Sequence, residues 1–369
     1  MQSRVDPAVT VLMTADAVGG VWNYALHLCA GLPEFRFVLA VMGPAPSPAQ
    51  RAAAARLGNL IVEEAPYRLE WMEGAPADLD ASRAWLASLA RRYDADLLHV
   101  NGYAHARMAA NCPALVVAHS DVLSWWRAVH RDSAPAGWDD YRREVAAGLA
   151  TADRIVAPSR AVLDDLAAQY GMRRDDALVI ANGIDLAAYR PAAKRPVVMA
   201  AGRLWDAAKN LALVDEVAAA LPWPLEIAGP ATNPEGGTVE CVAARLLGTL
   251  SPGEMAVRLG RAAIFAAPTH YEPFGLGILE AAASGCALVL GDIPSLRENW
   301  EGAAMFVAPD DRAAWRSALR HLINDDGDRA LWAASAQQRA CAFSRRRMAE
   351  CYAALYREMT AGSVQREVA

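Results

Sequence analysis

Short aliphatic and β-branched runs alternate along the chain with longer alanine-rich stretches whose apolar positions recur every three or four residues. The runs have the length of strands buried on both faces, and the stretches have the period of amphipathic helices. That pairing builds βαβ units and a parallel sheet. The first half predicts strands at Thr10–Thr14, Phe35–Met42, Leu60–Glu64, Asp96–Val100, Leu115–His119, Arg154–Ala157 and Ala177–Ile180. Residues 66–80 and 120–140, rich in Trp, Pro and charge, break the pattern and read as loops or short helices flanking a cleft. A Pro-rich polar break at Tyr189–Pro196 is the linker candidate. The alternation then restarts, with strands expected at Val197–Ala201, Leu225–Ala228, Val239–Val242, Ala263–Ala267, Ala287–Leu290 and Met305–Val307. The end of the chain reads as helices without a strand.

The fold class is therefore α/β, with two Rossmann-like doubly wound domains and ligand sites at the carboxyl ends of both sheets, facing a central cleft. Domain boundaries are expected at residues 1–190 and 191–343, with a terminal helical segment at 344–369. A length of 369 residues suits two cores, and 54% hydrophobic against 21% charged residues excludes a disordered chain. Net charge is −6, with 18 basic and 22 acidic residues before Lys194 and 18 and 20 from there on. Neither half is a polyanion-binding surface, so no nucleic-acid partner is expected. The six cysteines lack metal-binding spacing and read as buried residues of a reducing compartment. Asp6 and Asp16 bracket only a short apolar run, and no stretch reaches the ~18 apolar residues of a membrane span. The expected location is cytoplasmic.

Candidate chemistry concentrates in Ala267–Gly285, A-P-T-H-Y-E-P-F-G-L-G-I-L-E-A-A-A-S-G. A strand ends, Glu272 sits in a loop, Pro273 turns it, and a helix starts near Phe274, Gly275 and Leu276. Free N–H groups and the positive dipole end at that helix start suit phosphate or sugar oxygens. Glu272 and Glu280 suit pairs of sugar hydroxyls, although an ordinary loop glutamate and a helix-surface glutamate would give the same letters. Arg203 and Lys209 follow the first strand of the second domain and could converge on a diphosphate. They could equally be solvated surface cations. Lys209 is one of only two lysines, the other being Lys194, so of 36 basic residues 34 are arginine.

In the first domain Gly19 and Gly20 join the first strand to the first helix and allow close backbone approach to a ligand, or simply a turn. His119 ends an apolar strand, a usual place for a structural histidine, and His270 precedes Glu272 by two residues. Trp125, Trp126 and Trp138 could stack on an acceptor sugar or pack in a core. Arg345, Arg346 and Arg347 could touch anionic lipid or form a solvated helix face. Asp94 and Asp96 read as a helix-to-strand turn, and no metal-ligand cluster stands out, so no metal or other cofactor is expected.

The glutamate segment resembles the signature of retaining glycosyltransferases of family 4, with their GT-B fold and Glu-x7-Glu motif. The resemblance extends to A-G-R-L-W-D-A-A-K-N (Ala201–Asn210), A-N-G-I-D (Ala181–Asp185), A-P-S-R (Ala157–Arg160), L-G-T-L-S (Leu247–Ser251) and V-V-A-H-S-D (Val116–Asp121). It implies a hexosyltransferase acting with retention of anomeric configuration and without metal, its nucleotide-sugar donor UDP- or GDP-linked. The implied acceptor is a saccharide or lipid-linked hydroxyl against the first domain, and the pathway is polysaccharide biosynthesis. Arg203, Lys209, Glu272 and His119 take catalytic roles under it. Gly19, Gly20, Phe274, Gly275, Leu276 and Glu280 bind the donor, which lies mainly on the second domain. The terminal helix would cross back to the N-terminal domain, and peripheral contact with the inner membrane face is left open, as in many relatives. Six steps separate Arg203 from Lys209 where many relatives have five. Other readings on this fold are a sugar phosphorylase, an epimerase or a non-catalytic nucleotide-sugar binding protein. A pyridoxal-dependent phosphorylase would need a further lysine.

Overall fold

The computed structural model of the chain describes residues 9–172, 175, 177–233 and 236–367; Asp6 lies outside them. The chain forms two compact units. The first gathers residues up to Ser124, Ser133–Gly183 and the chain from Arg345 on; the second gathers Trp125–Asp132 and Ile184–Ser344. The linker candidate at Tyr189–Pro196 thus lies inside the second unit, as do Trp125 and Trp126.

The first unit holds β1 (Thr10–Asp16), β2 (Arg36–Met42), β3 (Leu60–Ala65), β4 (Leu97–Val100), β5 (Ala114–Val117), β6 (Arg154–Ala157) and β7 (Ala177–Val179). They form one parallel sheet in the order β3-β2-β1-β4-β5-β6-β7. Alternate side chains feed two separate cores, as the pleat requires. Leu12, Val38, Ala40 and Val116 face one core, under the helices Pro76–Arg92, Asp139–Thr151 and Arg160–Tyr170. Val11, Met13, Phe37, Leu39 and Leu115 face the other, under Gly20–Gly31 and the terminal helix Arg345–Glu367. The terminal helix contributes Met348, Tyr352 and Tyr356 to that core; both tyrosines are fully buried.

The second unit holds β8 (Arg195–Ala201), β9 (Leu225–Ala228), β10 (Arg245–Gly248), β11 (Ala262–Ala267), β12 (Ala287–Gly291) and β13 (Met305–Val307). Its sheet is parallel, in the order β10-β9-β8-β11-β12-β13. The strand expected at Val239–Val242 is not there; β10 begins three residues later. The buried carboxylate of Asp215 accepts the amide N–H groups of Val242, Ala243 and Ala244 at 2.7, 3.0 and 2.6 Å. Those amides cannot then join a ladder, and the segment turns before the strand starts.

Strand order reverses at one point in each sheet, between β1 and β4 and between β8 and β11. Loops leaving neighbouring strands there run to opposite faces, which opens a crevice at the carboxyl ends. Among the described residues no helix is long and apolar enough to cross a membrane.

Candidate functional site

At the carboxyl end of β8 the backbone turns sharply through Gly202. Gly202 donates its N–H to Ala228 O at 2.9 Å, and a side chain on Gly229 would start 1.8 Å from Gly202 O. That close approach brings the loops after β8 and β9 together and aims the chain at Arg203. Asp206 then organises the next turn. Its carboxylate accepts from Ala208 N at 3.0 Å and from Trp125 Nε1 at 3.3 Å, and it pairs with Arg203 at 2.6 Å. Burial opposes its charge, but Arg203, Lys209 and the Ala208 amide outweigh burial and hold the carboxyl below its ordinary range. The Arg203 guanidinium also lies over the Trp205 ring, 5.3 Å from its centre.

The short turn Ala207–Lys209 presents Lys209 to Glu272, Nζ to Oε2 at 2.6 Å. Both side chains are mostly covered, 21% and 17% exposed. Two backbone-directed bonds lock the loop after β11 in place: His270 N donates to Ala208 O at 2.8 Å, and Ser295 Oγ donates to Glu272 O at 2.5 Å. Asn210 ties the same region to Pro268 O and Pro309 O. The His270 ring lies 3.5 Å from Asp310, and burial draws its pKa down. A cavity of about 290 Å³ opens against this loop, lined by Leu204, Trp205, Asp206, Asn210, Leu211 and His270 among others.

The helix Leu276–Ala283 starts from Gly275, whose φ of +88° is the left-handed conformation that favours glycine, and no side chain caps it. Its first N–H groups are thus available to a ligand. Phe274 is only 3% exposed and packs edge-on against Phe343, ring centres 5.5 Å apart. The ring is spent in the core, which leaves only the backbone of Phe274 to face a ligand. Glu280 is partly covered, and burial pushes its carboxyl up to about 7, a shift that a hydrogen bond from Tyr189 partly offsets.

In the first unit Gly19 and Gly20 open the helix Gly20–Gly31 at the end of β1. The Gly19 amide is already used: Asp16 Oδ1 accepts it at 3.1 Å, together with Val18 N at 2.9 Å. His119 lies two residues beyond β5, not on the strand itself, with Nε2 2.9 Å from Asn101 Oδ1. Trp138 packs edge-on against Tyr141 beside the core, while Trp125 is held by Asp206.

The second unit thus brings Arg203, Lys209 and Glu272 together at its switch point, with Gly275 and Leu276 at the helix start that follows. Glu280, farther along that helix, meets Tyr189. The first unit carries Gly19, Gly20 and His119 at the corresponding end of its own sheet. Sequence reasoning missed Asp206, Ser295, Tyr189 and Asn101. Only Asp206, three residues from Arg203, carried a local signal. Among the described residues no three His, Cys, Asp or Glu side chains cluster as a metal site.

Residues 18–188 match the profile of Glycosyltransferase Family 4, and residues 195–325 match that of Glycosyl transferases group 1. Glycogen synthase of Mycobacterium tuberculosis is 33% identical over 208 residues, 51% of this chain and 49% of that protein. D-inositol 3-phosphate glycosyltransferase of Kineococcus radiotolerans is 27% identical over 248 residues, 56% of this chain and 57% of that protein. The chain therefore spans about half the length of these curated relatives. Sucrose-phosphate synthase of Thermosynechococcus elongatus superposes with a TM-score of 0.79 at 16% identity, covering 96% of this chain and 100% of that one. Anabaena HepE in complex with UDP and glucose gives 0.76 at 18% identity, covering 94% and 99%. The two parallel α/β domains have the GT-B fold.

Proposed function

We infer that this chain, with its Family 4 first domain and its group 1 second domain, is a glycosyltransferase that moves a hexosyl unit from a nucleotide-sugar to a hydroxyl acceptor. The observation that carries this reading is the Lys209–Glu272 pair at the β8/β11 switch point, with Arg203 beside it. One site there offers cations for a diphosphate and a carboxylate for sugar hydroxyls. The relatives' names point the same way, and the HepE complexes with UDP and with UDP-glucose favour a UDP-linked donor, with GDP as the alternative. Similarity to glycogen synthase favours a saccharide acceptor.

The reaction breaks the bond between the anomeric carbon and the diphosphate oxygen. Negative charge develops on that oxygen, where Arg203, Lys209 and the uncapped start of Leu276–Ala283 stabilise it. These fixed charges take the part a metal plays elsewhere, so the proposed reaction is metal-independent. Glu272 accepts hydrogen bonds from the transferred sugar, and Glu280 accepts them from the ribose. The acceptor, held by the first domain, attacks with its hydroxyl oxygen from the face the diphosphate leaves. Its proton passes to the departing phosphate oxygen, and configuration is retained.

The direct test is thermal unfolding with UDP-, GDP- and ADP-hexoses. A donor at a hundred times its dissociation constant should stabilise the fold by ~2.7 kcal/mol. A panel in which no nucleotide-sugar shifts the transition would remove the basis of this reading.

A further inference from the structure

A chain of buried and half-buried polar groups ends the first unit's sheet, and the mechanism above leaves most of it unused. Asn101 follows β4, beside the ends of β1 and β5. Its backbone N–H donates to Thr14 Oγ1 at 2.9 Å, and its side-chain Nδ2 donates to the Thr14 carbonyl at 2.8 Å. A backbone carbonyl can only accept, so the atom facing Thr14 O is the amide nitrogen. The amide oxygen must then lie opposite, where it is 2.9 Å from His99 Nε2 and 2.9 Å from His119 Nε2. An amide oxygen also can only accept, so both imidazoles donate from Nε2.

The remaining nitrogens follow. His99 Nδ1 lies 2.6 Å from the Tyr356 hydroxyl, which donates to it, and His99 is fully buried. His119 Nδ1 keeps its lone pair and has no hydrogen-bond partner among the described residues. Its ring is partly exposed, and Tyr24 packs edge-on at 4.4 Å, which restrains its rotation. Burial pushes both imidazoles down to about 3, so both are neutral at ordinary pH.

We propose that Asn101 is a positioning residue that holds His119 as the neutral Nε2–H tautomer, so that His119 meets its ligand only as a hydrogen-bond acceptor. The ligand group it selects is one that can donate: a sugar hydroxyl. A carboxylate, ether or phosphate oxygen at that place would set lone pair against lone pair and leave a polar group unpaired. The identity of the ligand rests on the glycosyl-transfer reading; the tautomer rests on the Asn101 geometry alone.

The two parts are tested separately. Nitrogen-15 NMR of the histidine-labelled full chain, without ligand at neutral pH, reports the protonation of each ring nitrogen, and the signal lost in His119→Gln identifies His119. Nε2 protonated and Nδ1 bare is the expected result; a proton on Nδ1 in the wild type overturns the proposal. Asn101→Asp keeps the shape but sets a carboxylate against both Nε2–H groups, and His119 should gain a second proton. An unchanged His119 signal in that variant would mean Asn101 does not control it.

The ligand side uses the UDP-hexose the enzyme turns over, with each sugar hydroxyl replaced in turn by hydrogen or by fluorine. At one position both replacements should cut kcat/KM alike, roughly tenfold, since fluorine cannot donate. The penalty at that position should vanish in His119→Ala. Tolerance of fluorine at every position, or a penalty that survives in His119→Ala, contradicts the selection. Failure to turn over any nucleotide-sugar would instead count against glycosyl transfer itself, with the NMR result still deciding the tautomer.

Discussion

Lys209 and Glu272, 63 residues apart in the chain, meet at 2.6 Å where the loops leaving β8 and β11 face each other. Under the proposed metal-independent reaction, the carboxylate holds the cation in place at rest and turns to sugar hydroxyls when the donor binds. Lys209→Ala and Arg203→Ala should each lower turnover by ~10²–10³, the scale for losing one preorganised charge-stabilising donor. Both variants should stay folded by circular dichroism. Near-normal rates would leave that residue a structural ion-pair partner, of Glu272 for Lys209 and of Asp206 for Arg203.

The two glutamates should fail differently. Glu272 lies beside Lys209 in the loop and is assigned to the sugar that moves, so Glu272→Gln should lose mainly kcat. Glu280 lies inside the helix and is assigned to the ribose, whose contacts are alike in ground and transition states. Glu280→Gln should therefore raise donor KM more than it lowers kcat. Steady-state kinetics on one donor make the comparison, and the reverse pattern would exchange the two assignments.

Glu280 also gives a stability signature. Its carboxyl titrates at about 7 in the fold against an ordinary value of 4.5. Between those values the folded state binds more protons than the unfolded chain, so this group makes stability fall as pH rises through the window. The neutral amide of Glu280→Gln carries no such penalty. In the absence of donor, Glu280→Gln should gain Tm relative to wild type from about pH 4.5 upward, levelling off above about pH 7. Melting curves across pH check this; a constant difference across the window would place the elevated titration elsewhere.

The turn that aims Arg203 depends on Gly229. A methyl group there would start 1.8 Å from Gly202 O, at a φ of +144°. Gly229→Ala should cost more than about 2 kcal/mol, seen as a lower urea midpoint with little change in slope. An unshifted midpoint would mean the two loops separate freely.

Much of this was legible in the sequence, because strand runs and helical periods are local signals. The two parallel sheets could be read from that alternation, and the glutamate segment stood out by its resemblance to a known signature. What stayed hidden depends on partners far apart in the chain. Asp215 takes the amides of Val242 to Ala244, and no pattern in the run from Val239 to Val242 announces it. Asn101 meets Thr14 from 87 positions away, so its control of two histidines could not be seen from its neighbours. The side chain of Phe274 looked available, and only packing against Phe343 turns it inward. Even the second lysine has its reason in three dimensions: Lys194 Nζ donates to Ser284 O at 2.7 Å and approaches Leu259 O at 3.4 Å, near the ends of two helices. A compact ammonium suits that place, beside Cys286 and the carbonyl ends of two helices.

The most direct test of the whole account is phosphorus NMR of the full chain incubated with UDP- and GDP-hexoses in excess EDTA. Fixed cations at Arg203 and Lys209, with a helix N-terminus beside them, should release the nucleoside diphosphate without added metal, in the wild type and far more slowly in Lys209→Ala. Release that stops in EDTA and returns with Mg²⁺ or Mn²⁺, or no release from any donor, would contradict it.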